Sequence, residues 1–167
     1  MVYKCLHEVE KSILQQLSID AYGMYKNILT VEGWNSMSKG LNNDEMWMQL
    51  INNSTIMICE NEGRIIGSAY LIPSGHPTEI YPADWSYIRM ISVHPDYQRM
   101  GIASHLTCQC IEYAKTSNEK VIGLHTAEIM TAARSIYNKL GFKKVKQIQP
   151  LFGLEYWLYK LDLKDGF

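Results

Sequence analysis

Apolar residues recur at helical spacing in the first third of the chain and then give way to short, nearly continuous apolar runs. Val9, Ile13, Leu14 and Leu17 fall at helical intervals on a segment whose other faces carry Glu8, Glu10 and Lys11, the pattern of an amphipathic helix. A second helix is expected from Asn43, whose side chain can cap the free amides ahead of Asp44 and Glu45, through Met46, Trp47, Leu50 and Ile51. Between these helices, Gly23 to Leu41 shows no clear period. Thr55–Cys59 and Ile65–Ile72 read as two strands of a hairpin around Asn61-Glu-Gly-Arg64, where the glycine suits a positive φ. Pro73, Pro77 and Pro82, with Gly75, make a loop that cannot continue a ladder. Ser86–Val93 is a third strand, stopped by Pro95, and Ile102 to about Thr116 a helix with Leu106, Cys110, Ile111 and Ala114 on one side. Val121–Thr126 is a further strand. Thr131–Leu140 is a short helix ended by Gly141, and Leu154–Leu161 a last strand. This order predicts an α/β sandwich in one domain over residues 1–167.

Composition narrows the classes of function. The 167 residues include 16 basic and 17 acidic ones, a net charge of −1, so the chain lacks the basic stripe that nucleic acid or an anionic membrane would demand. No apolar run approaches the roughly 18 residues of a membrane span. The opening MVYKCLHEVEKS puts charges where a signal peptide needs an apolar stretch. A soluble, cytoplasmic protein is the expectation. Cys5, Cys59, Cys108 and Cys110 have no C-x-x-C spacing and no histidine pair at zinc-finger distance, so they read as reduced thiols, and no metal site is expected.

The stretch richest in chemistry is Val93-His-Pro-Asp-Tyr-Gln-Arg-Met-Gly-Ile-Ala103: a strand end, a proline stop, a polar turn, a glycine and a helix start. Amides at a helix start are unpaired, and the helix dipole adds positive character. Small residues at Gly101 and Ala103 let a diphosphate approach closely, and Arg99 adds a cation. The spacing fits neither the dinucleotide-binding glycine fingerprint nor the P-loop.

Gln98-Arg-Met-Gly-Ile-Ala103 is similar to the Q/R-x-x-G-x-G/A signature of the GNAT superfamily of N-acetyltransferases, and Ala133-Arg-Ser-Ile-Tyr-Asn-Lys-Leu-Gly-Phe142 resembles that family's A-x-x-L-Y-x-K-L-G-F segment. The resemblance spans about Ser86 to Val145, and the N-terminal third matches nothing specific. It implies a mixed, mostly antiparallel sheet flanked by helices, with a bulged strand, Ser86–Val93, splayed from Val121–Thr126 to hold acetyl-CoA. Pantetheine would pair with backbone near Ile91, Ser92 and Val93, and the pyrophosphate would rest on Gln98, Arg99, Met100, Gly101, Ile102, Ala103 and Ser104. Met130 and Ala133 would complete the cofactor site, and a backbone amide near Ile91 would polarise the thioester carbonyl. Tyr137 would protonate the departing thiolate. As one of 11 tyrosines, on an amphipathic helix, it would without that resemblance read as a core residue.

Two positions depart from the family pattern. Tyr87 stands where many members have an acidic residue that serves as base, and Met130 stands where many have an asparagine. His76, Glu79 and Asp84, near the expected substrate entrance, read as solvated loop residues. His94 reads as a turn residue, His105 as exposed on a helix and His125 as a strand residue with a satisfied partner. Trp34, Trp47 and Trp85 are either acceptor-pocket walls or core. Acceptor choice is expected to lie in Gly23–Leu41 and Gly75–Trp85. The resemblance implies transfer of acetyl from acetyl-CoA to a primary amine of a small molecule by direct attack. The alternatives are a protein N-terminus or lysine as acceptor, or a non-catalytic acyl-CoA sensor. A homodimer is a further analogy, with Leu154–Leu161 pairing across its interface.

Overall fold

A computed structural model describes residues 1–164, so the last three residues of the expected domain lie outside the description. Seven strands form one sheet in the order β1-β2-β3-β4-β5-β7-β6. They are β1 (Val2–Leu6), β2 (Thr55–Asn61), β3 (Arg64–Ile72), β4 (Ser86–Val93), β5 (Val121–Ala127), β6 (Lys143–Leu151) and β7 (Leu154–Asp162). Every neighbouring pair is antiparallel except β4 and β5. Five α-helices flank the sheet: α1 (Lys11–Tyr22), α2 (Val31–Leu41), α3 (Asp44–Asn53), α4 (Ile102–Thr116) and α5 (Thr131–Lys139). The expected mixed, mostly antiparallel α/β architecture is therefore observed.

Each helix start has a local cause. Asn43 caps α3 as expected, its side chain accepting from the Met46 amide at 3.0 Å. Thr30 caps α2 in the same way, accepting from Gly33 at 3.1 Å, in the segment whose period was unclear. Gly33 is there because α2 crosses the turn joining β6 to β7, and a Cβ would collide with the Phe152 carbonyl. In α1 the buried stripe is Leu14, Leu17, Ser18 and Ala21. Ile13, expected on that stripe, is 45% exposed, and Val9 precedes the helix.

The sheet separates two apolar cores. One packs Leu106, Cys110, Ile111 and Ala114 of α4 with Ile122 and Leu124. The other gathers Leu14, Trp47, Tyr70, Tyr81, Tyr87 and Leu158. Trp47 is completely buried and its indole N–H donates to the Leu41 carbonyl at 2.8 Å, so it is core and not a pocket wall. Trp47→Phe removes this bond and leaves a small void, which should destabilise the fold by about 1–2 kcal/mol, read as a lower denaturant midpoint at unchanged slope.

Two expectations change. β7 lies between β5 and β6, so both of its edges are paired within the chain and it cannot pair across a dimer interface. β1 and β6 are the outer strands. All four cysteines are free, but only Cys59 and Cys110 are buried as small hydrophobes, and Cys5 is exposed. Among the described residues, no helix is long and apolar enough to cross a membrane, and no group of three or more potential metal ligands occurs.

Candidate active site

A defect in β4 creates the site. Ser68 pairs with Ser92 and Tyr70 with Arg89, so Ala69 of β3 faces both Met90 and Ile91, with Met90 at φ 55°. Such a bulge bends the strand and interrupts its ladder. On its other side β4 meets β5 in parallel at only Ser86–Ile122 and Tyr87–Gly123, after which the strands part. Gly123 is needed at that junction, because a Cβ there would press on Tyr81 and Trp85 at 2.9–3.1 Å. A cavity of about 490 Å³ opens between the diverging strands, with Ile91 and Val93 on one wall and His125 and Thr126 on the other. That volume suits a small-molecule site.

One end of the cavity is a turn of uncommitted amides. His94 holds the turn's entrance, accepting from the Asp96 amide, while the Arg64 guanidinium donates to its Nε2 at 3.0 Å. Arg99 at φ 62° and Gly101 at φ 80° then reverse the chain into α4. Among the described residues, the amides of Arg99 through Ser104 find no backbone acceptor, since the first helical bond to Gly101 is made by His105. A Cβ on Gly101 would meet no protein atom within 4 Å, so the space above this residue is open. Unpaired amides, a helix N-terminus and a glycine under open space fit a diphosphate group, such as that of acetyl-CoA.

Another part of the lining is aromatic. Tyr137, on α5, is 8% exposed, lines the cavity and packs edge-on against Phe142 at 5.8 Å. Its hydroxyl makes no hydrogen bond among the described residues, and burial pushes its pKa well above that of an ordinary phenol. Arg134 fixes the approach to α5 by donating to the Glu128 carbonyl at 2.9 Å and pairing with the Glu128 carboxylate at 3.2 Å. Across the cavity, the Tyr22 hydroxyl donates to the Ile91 carbonyl at 3.1 Å, tying α1 to the bulge. Tyr25 and Met24 extend this wall.

His125 does have the partner expected for it: its Nδ1 lies 2.6 Å from the buried Tyr81 hydroxyl. It also lines the cavity. Burial, reinforced by the charge of Arg89, lowers its pKa from 6.5 to about 4, so it is neutral at pH 7. In the unfolded chain the ring takes up a proton near pH 6.5, whereas the folded protein resists until about pH 4. Its contribution to stability is thus complete above pH 6.5 and declines as pH falls from 6.5 towards 4. The slope approaches about 1.4 kcal/mol per pH unit. Denaturant midpoints measured from pH 7 to 4 should show this decline, and His125→Gln should flatten it.

The cavity brings together Ile91, Val93, Gln98, Arg99, Gly101, Ile102, Ala103, Ser104, Met130, Ala133 and Tyr137. Ser92 and Met100 are not among its walls. Ser92 is buried on the far side of β4, where its hydroxyl bonds Ser18 at 2.8 Å, and Met100 is 56% exposed. The bulge explains Ser92, because alternation turns it away from the face of Ile91 and Val93. The carbonyls of Ile91 and Val93 already accept from Tyr22 and from Gln98 Nε2 (3.3 Å), respectively. Met130 accepts a bond from Thr126 through sulfur at 3.4 Å. Tyr87 stacks on Tyr81 at 4.0 Å and donates to the His76 carbonyl, and Trp34 and Trp85 lie outside the cavity walls. His105 is exposed and stacks on Tyr3. Tyr22, Tyr25 and His125 complete the site, although the sequence pattern did not single them out for it.

Comparisons with known proteins agree with this geometry. The model of the Acetyltransferase (GNAT) family matches residues 20–142. The Xenopus tropicalis protein described as "Probable N-acetyltransferase camello" is 26% identical over 133 residues, covering 80% of this chain and 58% of that protein. Human N-acetyltransferase 8B is 27% identical over 94 residues, which cover 56% of this chain and 40% of that protein. The chain thus spans about two fifths to three fifths of these relatives' length. Among solved structures, PaiA N-acetyltransferase from Thermoplasma acidophilum in complex with coenzyme A superposes with a TM-score of 0.74 at 15% identity, covering 97% of this chain and 99% of that one. Ribosomal-protein-alanine N-acetyltransferase from Brucella melitensis gives 0.72 at 20% identity, covering 98% and 100%.

Proposed function

The chain belongs to the Acetyltransferase (GNAT) family, and from that premise we propose that it transfers an acetyl group from acetyl-CoA to the primary amine of a small molecule. The observation that carries the proposal is the run of unpaired amides from Arg99 to Ser104, opening onto a cavity whose walls are the diverging strands β4 and β5. Acetyl-CoA supplies an activated thioester there, exchanging its C–S bond for a C–N bond to the acceptor. The amides of Arg99–Ser104 hold its pyrophosphate without needing a matching side-chain charge. Ile91, Val93, Met130 and Ala133 line the cavity where the pantetheine arm would lie.

Tyr137 donates a hydrogen bond to the sulfur as it gains charge, and its raised pKa keeps it protonated through the neutral range. Tyr22, by binding the Ile91 carbonyl, holds the bulge in register and so positions the amide nearest the thioester. No carboxylate stands at the Tyr87 position, so either a base from elsewhere takes the proton released by nitrogen or the amine arrives already neutral. Tyr22, Met24 and Tyr25 also line the cavity, and a lined cavity of this kind supports a small acceptor over a folded protein surface.

Release of free CoA from acetyl-CoA with a panel of amines, followed from pH 6 to 9, tests this reading. Amine-dependent release supports the transferase. Saturable acetyl-CoA binding with no release across the panel would instead make the chain an acyl-CoA sensor.

A further inference from the structure

Among the four arginines, Arg89 has an unusual setting. Arg64 is bonded to His94, Arg134 is paired with Glu128, and Arg99 is exposed in the amide turn. Arg89 is half-buried on β4, and its guanidinium makes neither a hydrogen bond nor an ion pair among the described residues. A guanidinium withdrawn from water needs an anion or a set of acceptors to repay its lost hydration. Among the described residues none is bonded to it. Its charge reaches the phenols of Tyr22, Tyr81 and Tyr87 and the imidazole of His125. All four are neutral at pH 7, because burial raises the phenols and lowers the imidazole.

Position gives this cation a use. Arg89 precedes the bulge by one residue and Ile91 by two, which places it roughly 6–7 Å along the strand from the point where the acetyl group would be attacked. Alternation puts it on the Tyr87 face of β4, on the side of α1, while Ile88 belongs to the opposite core. Arg89 is not itself a cavity wall, but Tyr22 and His125, both within reach of its charge, are. A long guanidinium side chain can swing between them towards the acceptor.

Building on the transferase reading, we propose that Arg89 binds a carboxylate of the acceptor, so that the acceptor is an amino acid or a similar amine bearing a carboxylate a few bonds from its nitrogen. A simple monoamine or polyamine would bring only positive charge to a wall that is already cationic, and it would be disfavoured. An amino acid supplies the missing counter-ion, and a planar carboxylate matches the guanidinium fork. Arg89 is thus a specificity-determining residue.

The test uses matched triplets, each a free amino acid, its amide and its decarboxylated amine, spanning apolar and polar side chains, together with phosphoethanolamine. For the triplets turned over best, kcat/KM should be at least tenfold higher for the acid than for its amide. Arg89→Gln should bring that ratio close to one, mainly through KM for the acid. Arg89→Lys should restore part of the preference. Equal or better use of the amide by the wild type, survival of the preference in Arg89→Gln, or stronger use of phosphoethanolamine than of any amino acid would each overturn the proposal.

Calorimetric binding of N-acetyl amino acids and their amides to the CoA-loaded protein gives a second readout, independent of turnover. Tighter binding of the acids, lost in Arg89→Gln, supports the assignment, and equal binding of acid and amide refutes it. Absence of CoA release with every amine would defeat the transferase reading alone, with product binding still deciding the role of Arg89.

Discussion

Replacing Tyr137 with phenylalanine should lower kcat by about a hundredfold or more, the usual range for losing a positioned proton donor being about 10²–10⁴, with the affinity for acetyl-CoA nearly unchanged. The ring keeps its packing against Phe142, so the variant should fold with an unaltered cavity. What disappears is one O–H that makes no bond within the described residues and lines the cavity where, in the proposed reaction, negative charge would develop on sulfur. The hydroxyl's pKa lies well above its usual value because of burial. It therefore remains protonated through pH 9, and the wild-type rate should show no alkaline decline from this group. Full proton transfer from so weak an acid is uphill, so a strong hydrogen bond in the transition state would be its main contribution in the proposed reaction. Single-turnover kinetics with saturating acetyl-CoA would isolate the effect. Unchanged turnover across the pH range would remove Tyr137 from the mechanism and leave it as a core residue.

Gly101→Val should raise the KM for acetyl-CoA by about a hundredfold while sparing kcat at saturation. Two effects combine. A residue with a Cβ held at φ 80° incurs about 1–2 kcal/mol of backbone strain, and a branched side chain would fill the open space above the amide cradle. Relief of the strain would turn the amides away, and retention of the fold would leave them covered. Gly101→Asn separates these outcomes, since asparagine tolerates positive φ but still occupies the space. It should melt close to the wild type and still bind acetyl-CoA more weakly. Equal acetyl-CoA affinity in both variants would show that the pyrophosphate does not rest on this turn.

Much of the cofactor half could be read from the chain because its signals are local. Pro95 stops β4, Gly101 marks the start of α4, and the burial stripe of α4 follows directly from Leu106, Cys110, Ile111 and Ala114. The elements that escaped notice have weak local signals. β1 is five residues long with only Tyr3 and Leu6 partly buried, and β6 is a lysine-rich outer strand with little buried surface. Lysines on an outer strand discourage pairing with other chains, and they also erase the apolar alternation by which a strand is recognised. α2 contains Gly33 and Gly40, which lower helical propensity, and Gly33 is explained only by the distant Phe152.

The candidate site divides along the same line. The amide turn is contiguous in sequence, and so could be found. Tyr22 and Ile91 are 69 residues apart and meet only because α1 lies across the bulge. Tyr81 and His125 are 44 apart and meet only where β4 and β5 part. Arg89 offers no pattern at all in sequence, because its distinction is a guanidinium without a partner among the described residues.

The separation of β4 from β5 has a consequence for the stability of the molecule as a whole. Beyond Tyr87 and Gly123, each strand presents an unladdered edge in the middle of the sheet, so the two halves are joined there by two residue pairs and by the packing on either face. Amides on those inner edges should exchange with solvent deuterium faster than the rest of the sheet. A ligand lying between the strands closes the seam as an additional strand would. By mass action, a ligand at a hundred times its dissociation constant stabilises the folded chain by about 2.7 kcal/mol. The cellular supply of such a ligand would then help determine how long each molecule survives proteolysis, independently of how often it turns over.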